Sequence, residues 1–354
     1  MLIKSLMGTG ERHACGRHGR LAARVTVAAL LVAALAGAAA GARPGAAQGA
    51  EEPWAPATFM LQPRSESAVA ELDGRMYVIG GYPTGRIPSD AVQVWDAATD
   101  HWELGPPLPM PLHHVMAASV NGTLYAIGGE FDGAGTGRPS LFVDTVFALD
   151  PAVGDWEPRA PMPTGRSAGA AVALNDKIYV VGGRPPAGYE LEMYDPATDA
   201  WTVLPDMPTA RNHLAAGAID GKLYVVGGRF GGGFDSELTN VTEVYDPETN
   251  TWAPGPPAPT IRSGMAFAVV GHCLYVFGGE RNRADPRGVF PQTEALDPRS
   301  DTWYELTPMS TPMHGQIGAA VFDGRIHIAG GAVTYGGDSG TVLHQVYTPE
   351  VACD

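Results

Sequence analysis

The chain has 354 residues, of which 17% are charged, and a formal net charge of −15. Its 46 glycines and 31 prolines favour many short strands and turns over long helices. An acidic surface repels nucleic acid and anionic lipid headgroups, because non-specific binding to either depends on clustered Lys and Arg. The composition therefore argues against a nucleic acid partner.

Residues 1–50 differ in composition from the rest and predict a secretory signal peptide. Basic residues up to Arg24 precede an apolar run over 25–40, and small residues lead from there to Glu51. The apolar run is shorter than the roughly 20 residues of a spanning helix, and an uncleaved membrane anchor is the alternative. This segment holds 6 of the 23 basic and 1 of the 38 acidic residues, so that residues 51–354 carry a net charge of −20. We expect a secreted protein, extracellular or periplasmic, with no membrane contact beyond such an anchor.

From residue 51 onward the chain repeats one unit, typified by residues 195–228. An apolar run at Leu223–Val226 ends at a Gly-Gly pair, and the turn Asp220-Gly221 joins it to an earlier apolar run, which is a hairpin pattern. Upstream, the turn at Asp195-Pro196 separates a third strand from a fourth strand that begins at Trp201. The unit therefore predicts four antiparallel strands.

The spacing within the unit is almost constant. Five tryptophans stand 26 residues before the first glycine of a Gly-Gly pair, and the sixth stands 27 before its pair. The tryptophans are Trp54, Trp102, Trp156, Trp201, Trp252 and Trp303, and the pairs begin at Gly80, Gly128, Gly182, Gly227, Gly278 and Gly330. An aspartate stands six residues before every tryptophan but the first, so only the segment between Gly-Gly and Asp varies in length. This pattern is typical of a repeat fold with one variable face.

These motifs resemble the Kelch repeat of β-propellers, over roughly residues 52–350. Departures are minor, such as Trp95 and Leu149 in place of the usual tyrosine before the aspartate. The resemblance implies an all-β, six-bladed propeller over residues 51–354, with four-stranded antiparallel blades. The last unit lacks a tryptophan-bearing strand and the first begins with one, so we expect the strand around Trp54 to complete the sixth blade.

Arginine occupies the position ten residues after four of the six tryptophans, at Arg64, Arg166, Arg211 and Arg262. The resemblance implies that such residues rim the central channel and contact ligands. Four guanidiniums around one opening would accept carboxylates bidentately. The alternative is that each arginine pairs with an acidic neighbour and only locks the structure.

The position two residues after this arginine position is also polar in several repeats. It is occupied by Glu66, His114 and His213, and we assign Gln316 to it in the sixth unit. We expect Glu66, His114 and His213 to belong to the same ligand-binding rim. Imidazole and carboxylate groups can bind divalent metals. Their sequence spacing matches no metal motif, and we predict no metal and no cofactor.

Two cysteines, Cys273 and Cys353, lie outside the predicted signal segment, which contains Cys15. An even number of cysteines in an exported chain favours a disulfide, and we expect both to emerge on the same side of adjacent blades. Two free thiols are the alternative, since sequence alone does not supply the geometry that a disulfide needs.

The variable loops that follow the Gly-Gly pairs emerge on one face of the predicted disc, here called the loop face. Binding residues on a rigid scaffold concentrate on such loops. We therefore predict a monomeric binding module whose protein or glycan ligand lies on the loop face over the central channel, and we assign no catalytic residue.

The alternative function is a carbohydrate-active isomerase or mutarotase acting on an acidic sugar. It follows from the resemblance to exported six-bladed Kelch N-acetylneuraminate epimerases, in which an arginine-lined channel handles the sugar. A copper oxidase of the galactose oxidase type is not expected, because the chain has no Tyr-His pair.

Overall fold

In a computed structural model, the part of the chain that is described consists of short β-strands joined by turns and loops. The description covers residues 52–131, 141–184, 186, 188–232 and 235–353. The predicted signal or anchor segment, residues 1–50, lies outside it. No helix within the described ranges is long and apolar enough to cross a membrane.

Six four-stranded antiparallel sheets form the blades of the predicted propeller. The first ordered strand, β1 (Trp54–Pro56), belongs to the last blade. Blade 1 contains β2 (Ser67–Leu72), β3 (Arg75–Ile79), β4 (Val92–Asp96) and β5 (His101–Leu104). Blade 2 contains β6 (Met116–Val120), β7 (Thr123–Ile127), β10 (Val146–Leu149) and β11 (Trp156–Arg159), and its loop carries the short ribbon β8 (Glu130–Phe131) and β9 (Leu141–Phe142).

The remaining blades repeat the same order from the innermost strand outward. Blade 3 contains β12 (Ala170–Leu174), β13 (Lys177–Val181), β14 (Leu191–Asp195) and β15 (Ala200–Leu204). Blade 4 contains β16 (Ala215–Ile219), β17 (Lys222–Val226), β18 (Thr242–Asp246) and β19 (Thr251–Pro254). Blade 5 contains β20 (Ala266–Val270), β21 (Cys273–Phe277), β22 (Thr293–Asp297) and β23 (Thr302–Leu306). Blade 6 contains β25 (Ala320–Phe322), β26 (Arg325–Ala329), β27 (His344–Tyr347) and β1, while β24 (Gln316–Ile317) pairs in parallel with β2.

The predicted closure of the ring by the first strand is confirmed. Strand β1 pairs antiparallel with β27, so that Trp54 lies opposite Tyr347 and Pro56 opposite Gln345. The first and last strands therefore share one sheet, and the outer edge of β27 is covered.

The Gly-Gly pairs are where each blade meets the next. The N–H of every second glycine donates, over 2.8–3.1 Å, to the carbonyl of the residue at the arginine position of the following blade. The series begins with Gly81 and Leu112 and ends with Gly331, which donates back to Arg64. At Gly278, which is the first glycine of its pair, φ is +62° and an added Cβ would lie 2.1 Å from the Met313 carbonyl oxygen. Only glycine permits both this conformation and this approach of backbone to backbone.

The tryptophans join the blades at their outer edge. In the six tryptophans of the repeat the indole Nε1 donates to a backbone carbonyl of the preceding blade or of the segment after it, at 2.8–2.9 Å. Trp102 donates to Thr58 beside the first strand, and Trp54 of blade 6 donates to Thr307 after blade 5, so this series also runs around the ring. The fixed spacing between tryptophan and Gly-Gly thus reflects an outer and an inner contact between neighbouring blades.

The C-terminal segment is fastened to blade 5. Cys273 and Cys353 are joined by a disulfide across 80 residues of sequence, and both are buried. The N–H of His272 donates to the Cys353 carbonyl at 2.8 Å. Because a Cβ at Gly271 would lie 1.6 Å from the same carbonyl oxygen, the tail passes directly over this hairpin turn.

Blade 6 differs from the other blades by a buried pair of histidines at its contact with blade 1. His327 Nδ1 and His344 Nε2 are 3.0 Å apart, and both rings contact Trp95. Burial lowers the pKa of His327 to about 3, with repulsion from His344 adding to the shift, and burial lowers the pKa of His344 to about 4. Both histidines are therefore neutral in the folded protein at pH 7.

This pair predicts acid sensitivity at the joint between blades 6 and 1. Unfolded histidine titrates near pH 6.5, so the unfolded chain binds more protons and stability falls as the pH drops from about 6.5 towards 4. Blade 1 has tyrosine and valine at these two positions, so the double variant His327→Tyr with His344→Val replaces both histidines with residues that this fold accepts. We expect it to reduce the fall in the free energy of unfolding by roughly 1 kcal/mol per pH unit for each histidine removed. Urea unfolding of both proteins across this range measures the slopes. Equal slopes would contradict the prediction.

Candidate functional site

The four predicted arginines are buried and bonded within their own blades. Their relative exposure is at most 1%. The guanidiniums of three of them bind glutamates of the third strand, in the pairs Arg166 with Glu192, Arg211 with Glu243 and Arg262 with Glu294. Arg64 donates instead to Gln62 and Ser89. These residues do not form the predicted ligand-binding rim, because their guanidiniums are buried and hydrogen-bonded within the blade.

The two exceptions show what the arginine position does. In blade 2 it is Leu112, and the glutamate position is Phe147, in the same apolar cluster. In blade 6 the positions hold Met313 and Gln345, whose Nε2 lies 3.7 Å from the Met313 sulfur. The residue pair is therefore charged, apolar or mixed according to the blade, as expected for a packing position.

The remaining three predicted residues lie together around the channel axis. Glu66, His114 and His213 each have a positive φ, between +51° and +54°, with Ala168 at +57° between the two histidines. From blade 2 to blade 6, the N–H of the residue at this position donates to the carbonyl of the residue at the same position in the preceding blade. The series begins with His114, which donates to Glu66, and ends with Gly315, which donates to Gly264. Gly315 is therefore the residue of blade 6 at this position, and the prediction of Gln316 was wrong because this unit contains a one-residue insertion. Side chains in this conformation are strained and point to a functional site.

A chain of hydrogen bonds connects the channel mouth to the buried carboxylate. Tyr82 Oη lies 2.9 Å from His113 Nε2, the Nδ1 atoms of His113 and His114 are 2.5 Å apart, and His114 Nε2 lies 3.0 Å from Glu66. With both imidazoles neutral, the donors can all point the same way, from the Tyr82 hydroxyl to the Glu66 carboxylate.

Two further arginines complete the site. Arg184 binds Glu130 and places Nη2 3.0 Å from His114 Nε2. Arg229 binds Glu280 and places Nη2 3.0 Å from His213 Nε2. The Nδ1 of His213 lies 2.6 Å from the Asn212 side-chain oxygen, which fixes the ring.

Sequence reasoning missed these residues, although they follow a rule. Each is the first residue after a Gly-Gly pair. Its backbone pairs with that of the residue that follows the arginine position of the same blade, as in the β-bridge between Glu130 and His113. The set at this position is Tyr82, Glu130, Arg184, Arg229, Glu280 and Ala332. Because they begin the variable loops, they were grouped with the loops instead of with the fixed repeat.

The arginines and the buried glutamate set the charge of the site. Burial opposes ionisation of Glu66, but His114, His314 and Arg184 outweigh it and the pKa of this carboxyl lies below its usual range. Burial and the Arg184 charge lower the pKa of His114 to about 4, and burial and Arg229 lower that of His213. At neutral pH Glu66 is therefore ionised, while His114 and His213 are neutral.

The donor atoms of Glu66, His114 and His213 lie within 4.8 Å of one another, close enough to surround a metal ion. Both ring nitrogens of His213 are nevertheless in use: Nε2 accepts a hydrogen bond from Arg229, and Nδ1 donates one to Asn212. A metal ion bound to His213 Nε2 would have to displace the Arg229 guanidinium. The arrangement therefore fits a polar or anionic ligand above the arginines better than a metal among the histidines.

A cavity of about 250 Å³ opens above this network on the loop face. Its described wall includes Tyr82, Arg86, His113, Arg184 and Gly232. The opposite part of the channel, of about 280 Å³, is lined by the innermost strands and mostly by alanine, glycine and valine. The channel is therefore polar at the loop face and largely apolar at the other end.

The buried pair of blade 3 gives a direct test of the packing role. We expect Arg166→Leu alone to destabilise the protein by about 3 to 5 kcal/mol, because it leaves Glu192 buried without its partner. The double variant Arg166→Leu with Glu192→Phe copies blade 2 and is expected to regain most of that loss. Urea unfolding of the wild type, the single and the double variant measures this. A double variant no more stable than the single one would contradict it.

Comparison with known proteins agrees with this architecture. The KLHDC2/KLHL20/DRC7 Kelch-repeats domain model matches residues 54–228 and 113–331. Kelch-like protein terF of Aspergillus terreus is 31% identical over 310 residues, which cover 81% of this chain and 65% of that protein. Kelch-like protein 23 of Homo sapiens is 29% identical over 291 residues, which cover 81% of this chain and 40% of that protein. The chain thus spans less than two thirds of the length of these curated relatives.

A solved structure described as "Structure of YjhT" resembles the chain with a TM-score of 0.70, covering 83% of this chain and 97% of that one. At 16% identity the likeness concerns the fold alone. Together with the in-phase Gly-Gly pairs and tryptophans, the matched domain model shows that this chain belongs to the Kelch-repeat family.

Proposed function

We propose that this protein is a monomeric binding module that takes an acidic group of its protein or glycan ligand into the loop-face cavity of the channel. The observation that carries the proposal is the position of Arg184, which lines this cavity with a side chain 15% exposed. Arg86, on the same wall, has a side chain 41% exposed. Guanidiniums held in place by other groups bind carboxylates with little loss of side-chain freedom.

The rigidity of the surroundings supports this role. Glu130 orients Arg184, and it belongs to a buried position tied to the inner backbone contacts. The walls of the cavity come from loops that differ between blades, which suits recognition of a specific partner. A Kelch propeller is in this way suited to interaction with other proteins.

We also propose that the protein acts outside the cytoplasm. Residues 1–50 have the composition of a secretory signal. The disulfide between Cys273 and Cys353 is of a kind that persists in oxidising compartments and is rare in reducing ones.

Thermal unfolding with small probes tests the cavity. We expect glucuronate and N-acetylneuraminate to raise the melting temperature, while glucose and N-acetylglucosamine do not. Replacing Arg184 or Arg86 by Gln should weaken binding by at least about fivefold, the effect of losing one charged hydrogen bond. Arg299→Gln is the matched control, because this exposed arginine binds Asp220 in a turn of another blade. Equal stabilisation by neutral sugars, or equal loss in the control, would contradict the proposal.

A second candidate function is a sugar mutarotase or isomerase that uses the same cavity. The observation in its favour is the hydrogen-bond chain from Tyr82 through His113 and His114 to Glu66, which can move a proton between the cavity and a buried carboxylate. If it operates, the protein accelerates anomer exchange of N-acetylneuraminate measured by NMR, and Tyr82→Phe abolishes the acceleration without abolishing binding. Binding without any acceleration would leave the binding module as the function.

A further inference from the structure

A second cavity on the loop face, apart from the channel mouth, is lined by three arginines. It has a volume of about 280 Å³ and lies between the loop of blade 5 and Tyr335 of blade 6. The arginines are Arg281, Arg283 and Arg287, and Asp235 is the acidic residue on the same wall. We propose that this cavity, here called the lateral pocket, binds a tetrahedral oxyanion, the phosphate or sulfate ester group of an organic ligand.

The side chain of Arg281 is incompletely satisfied by the protein. Its Nη1 atom is buried and has no hydrogen-bond partner, and among the described residues it is the one terminal guanidinium nitrogen in that state. The residue also has a positive φ of +73°. A buried donor without an acceptor costs free energy, so an anion in the lateral pocket would supply the missing partner.

The other two arginines are placed by the loop itself. Arg287 is held by Asp285, with Nη2 3.0 Å from Oδ2 and Nε 3.3 Å from Oδ1. The Asn282 side chain bonds the backbone of Ala284 and Val289 and so braces the same loop. Arg283 is exposed. The guanidiniums are therefore presented by a braced loop, on a chain whose net charge is −15.

The number of arginines favours a tetrahedral oxyanion over a carboxylate. A planar carboxylate offers its acceptor sites in one plane, and Asp285 is bound in this way by a single guanidinium, that of Arg287. Phosphate and sulfate groups carry acceptor oxygens in several directions and can bond more than one guanidinium at once. The three arginines outnumber the two carboxylates beside them, Asp235 and Asp285, so a net positive charge attracts an anion to the pocket.

The opposite wall suits the organic part of such a ligand. The Tyr335 residue is 41% exposed, and its N–H donates to the Arg287 carbonyl at 2.7 Å. Gly288 permits this close approach, since a Cβ there would lie 2.8 Å from the Tyr335 Cβ. An aromatic face beside the guanidiniums can cover a sugar or other ring that carries the ester group.

Calorimetric titration of the full chain tests the lateral pocket with inorganic phosphate, inorganic sulfate, glucose 6-phosphate, glucose 6-sulfate and glucose at constant ionic strength. We expect saturable binding of the anions and none of glucose, with the two esters showing which group is preferred. Arg281→Gln and, separately, the exposed Arg283→Gln should weaken binding by about tenfold. Arg299→Gln removes the same charge elsewhere and should bind as the wild type does.

Three results would overturn the proposal. One is the lack of saturable binding up to about 10 mM of every anion. Another is an equal loss in Arg299→Gln, which would indicate a general charge effect. The third is a loss in Arg184→Gln with full binding in Arg281→Gln and Arg283→Gln, which would place the anion at the channel mouth and leave the proposed function standing.

Discussion

The hydrogen bond from the second glycine of each pair to the next blade is the contact on which the whole ring depends. It is made by backbone alone, so the side chain at the accepting residue is free to be arginine, leucine or methionine, as at Arg64, Leu112 and Met313. The blades are thereby held at a constant distance even where their sequences differ. The glycines have no such freedom, because a Cβ on the first glycine of a pair would meet the backbone of the next blade, as at Gly278, and a Cβ on the second would meet its own blade, as at Gly81.

The residue two positions after the arginine position, next to the channel axis, also differs between blades. Blades 5 and 6 have glycine there, at Gly264 and Gly315, where a positive φ carries no strain. Blades 1, 2 and 4 have Glu66, His114 and His213 in the same conformation, at a cost of order 1 kcal/mol each. The polar side chains are thus gathered on one side of the channel, where Arg184 and Arg229 reach them. Ala168 of blade 3 adopts the same conformation without a polar side chain, so the backbone hydrogen bonds between blades impose it and the side chain can vary.

The fold was predictable from sequence because its constraints are periodic. The constant spacing from a tryptophan to the next Gly-Gly pair, as from Trp54 to Gly80, follows from the two contacts that each blade makes with its neighbours. The strand around Trp54 has no neighbouring strand of its own repeat, and this indicated that it closes the ring by joining the last blade. The site was predictable only in part. That Glu66, His114 and His213 lie together could be predicted because they occupy the same position of the repeat. The burial of Arg166 could not, because its partner Glu192 lies 26 residues away on another strand. A charge count cannot distinguish an arginine with a buried partner from one facing a ligand.

The pairing of the first strand with the last has a bearing on how the ring opens when the protein unfolds. Five blades are continuous segments of chain, but blade 6 is assembled from β1 and three strands that lie nearly three hundred residues away. Loss of β1 from blade 6 would uncover the edge of β27. The cross-link between Cys273 and Cys353 fastens the tail that follows β27 to blade 5, so the other end of this sheet stays attached to the ring when β1 separates.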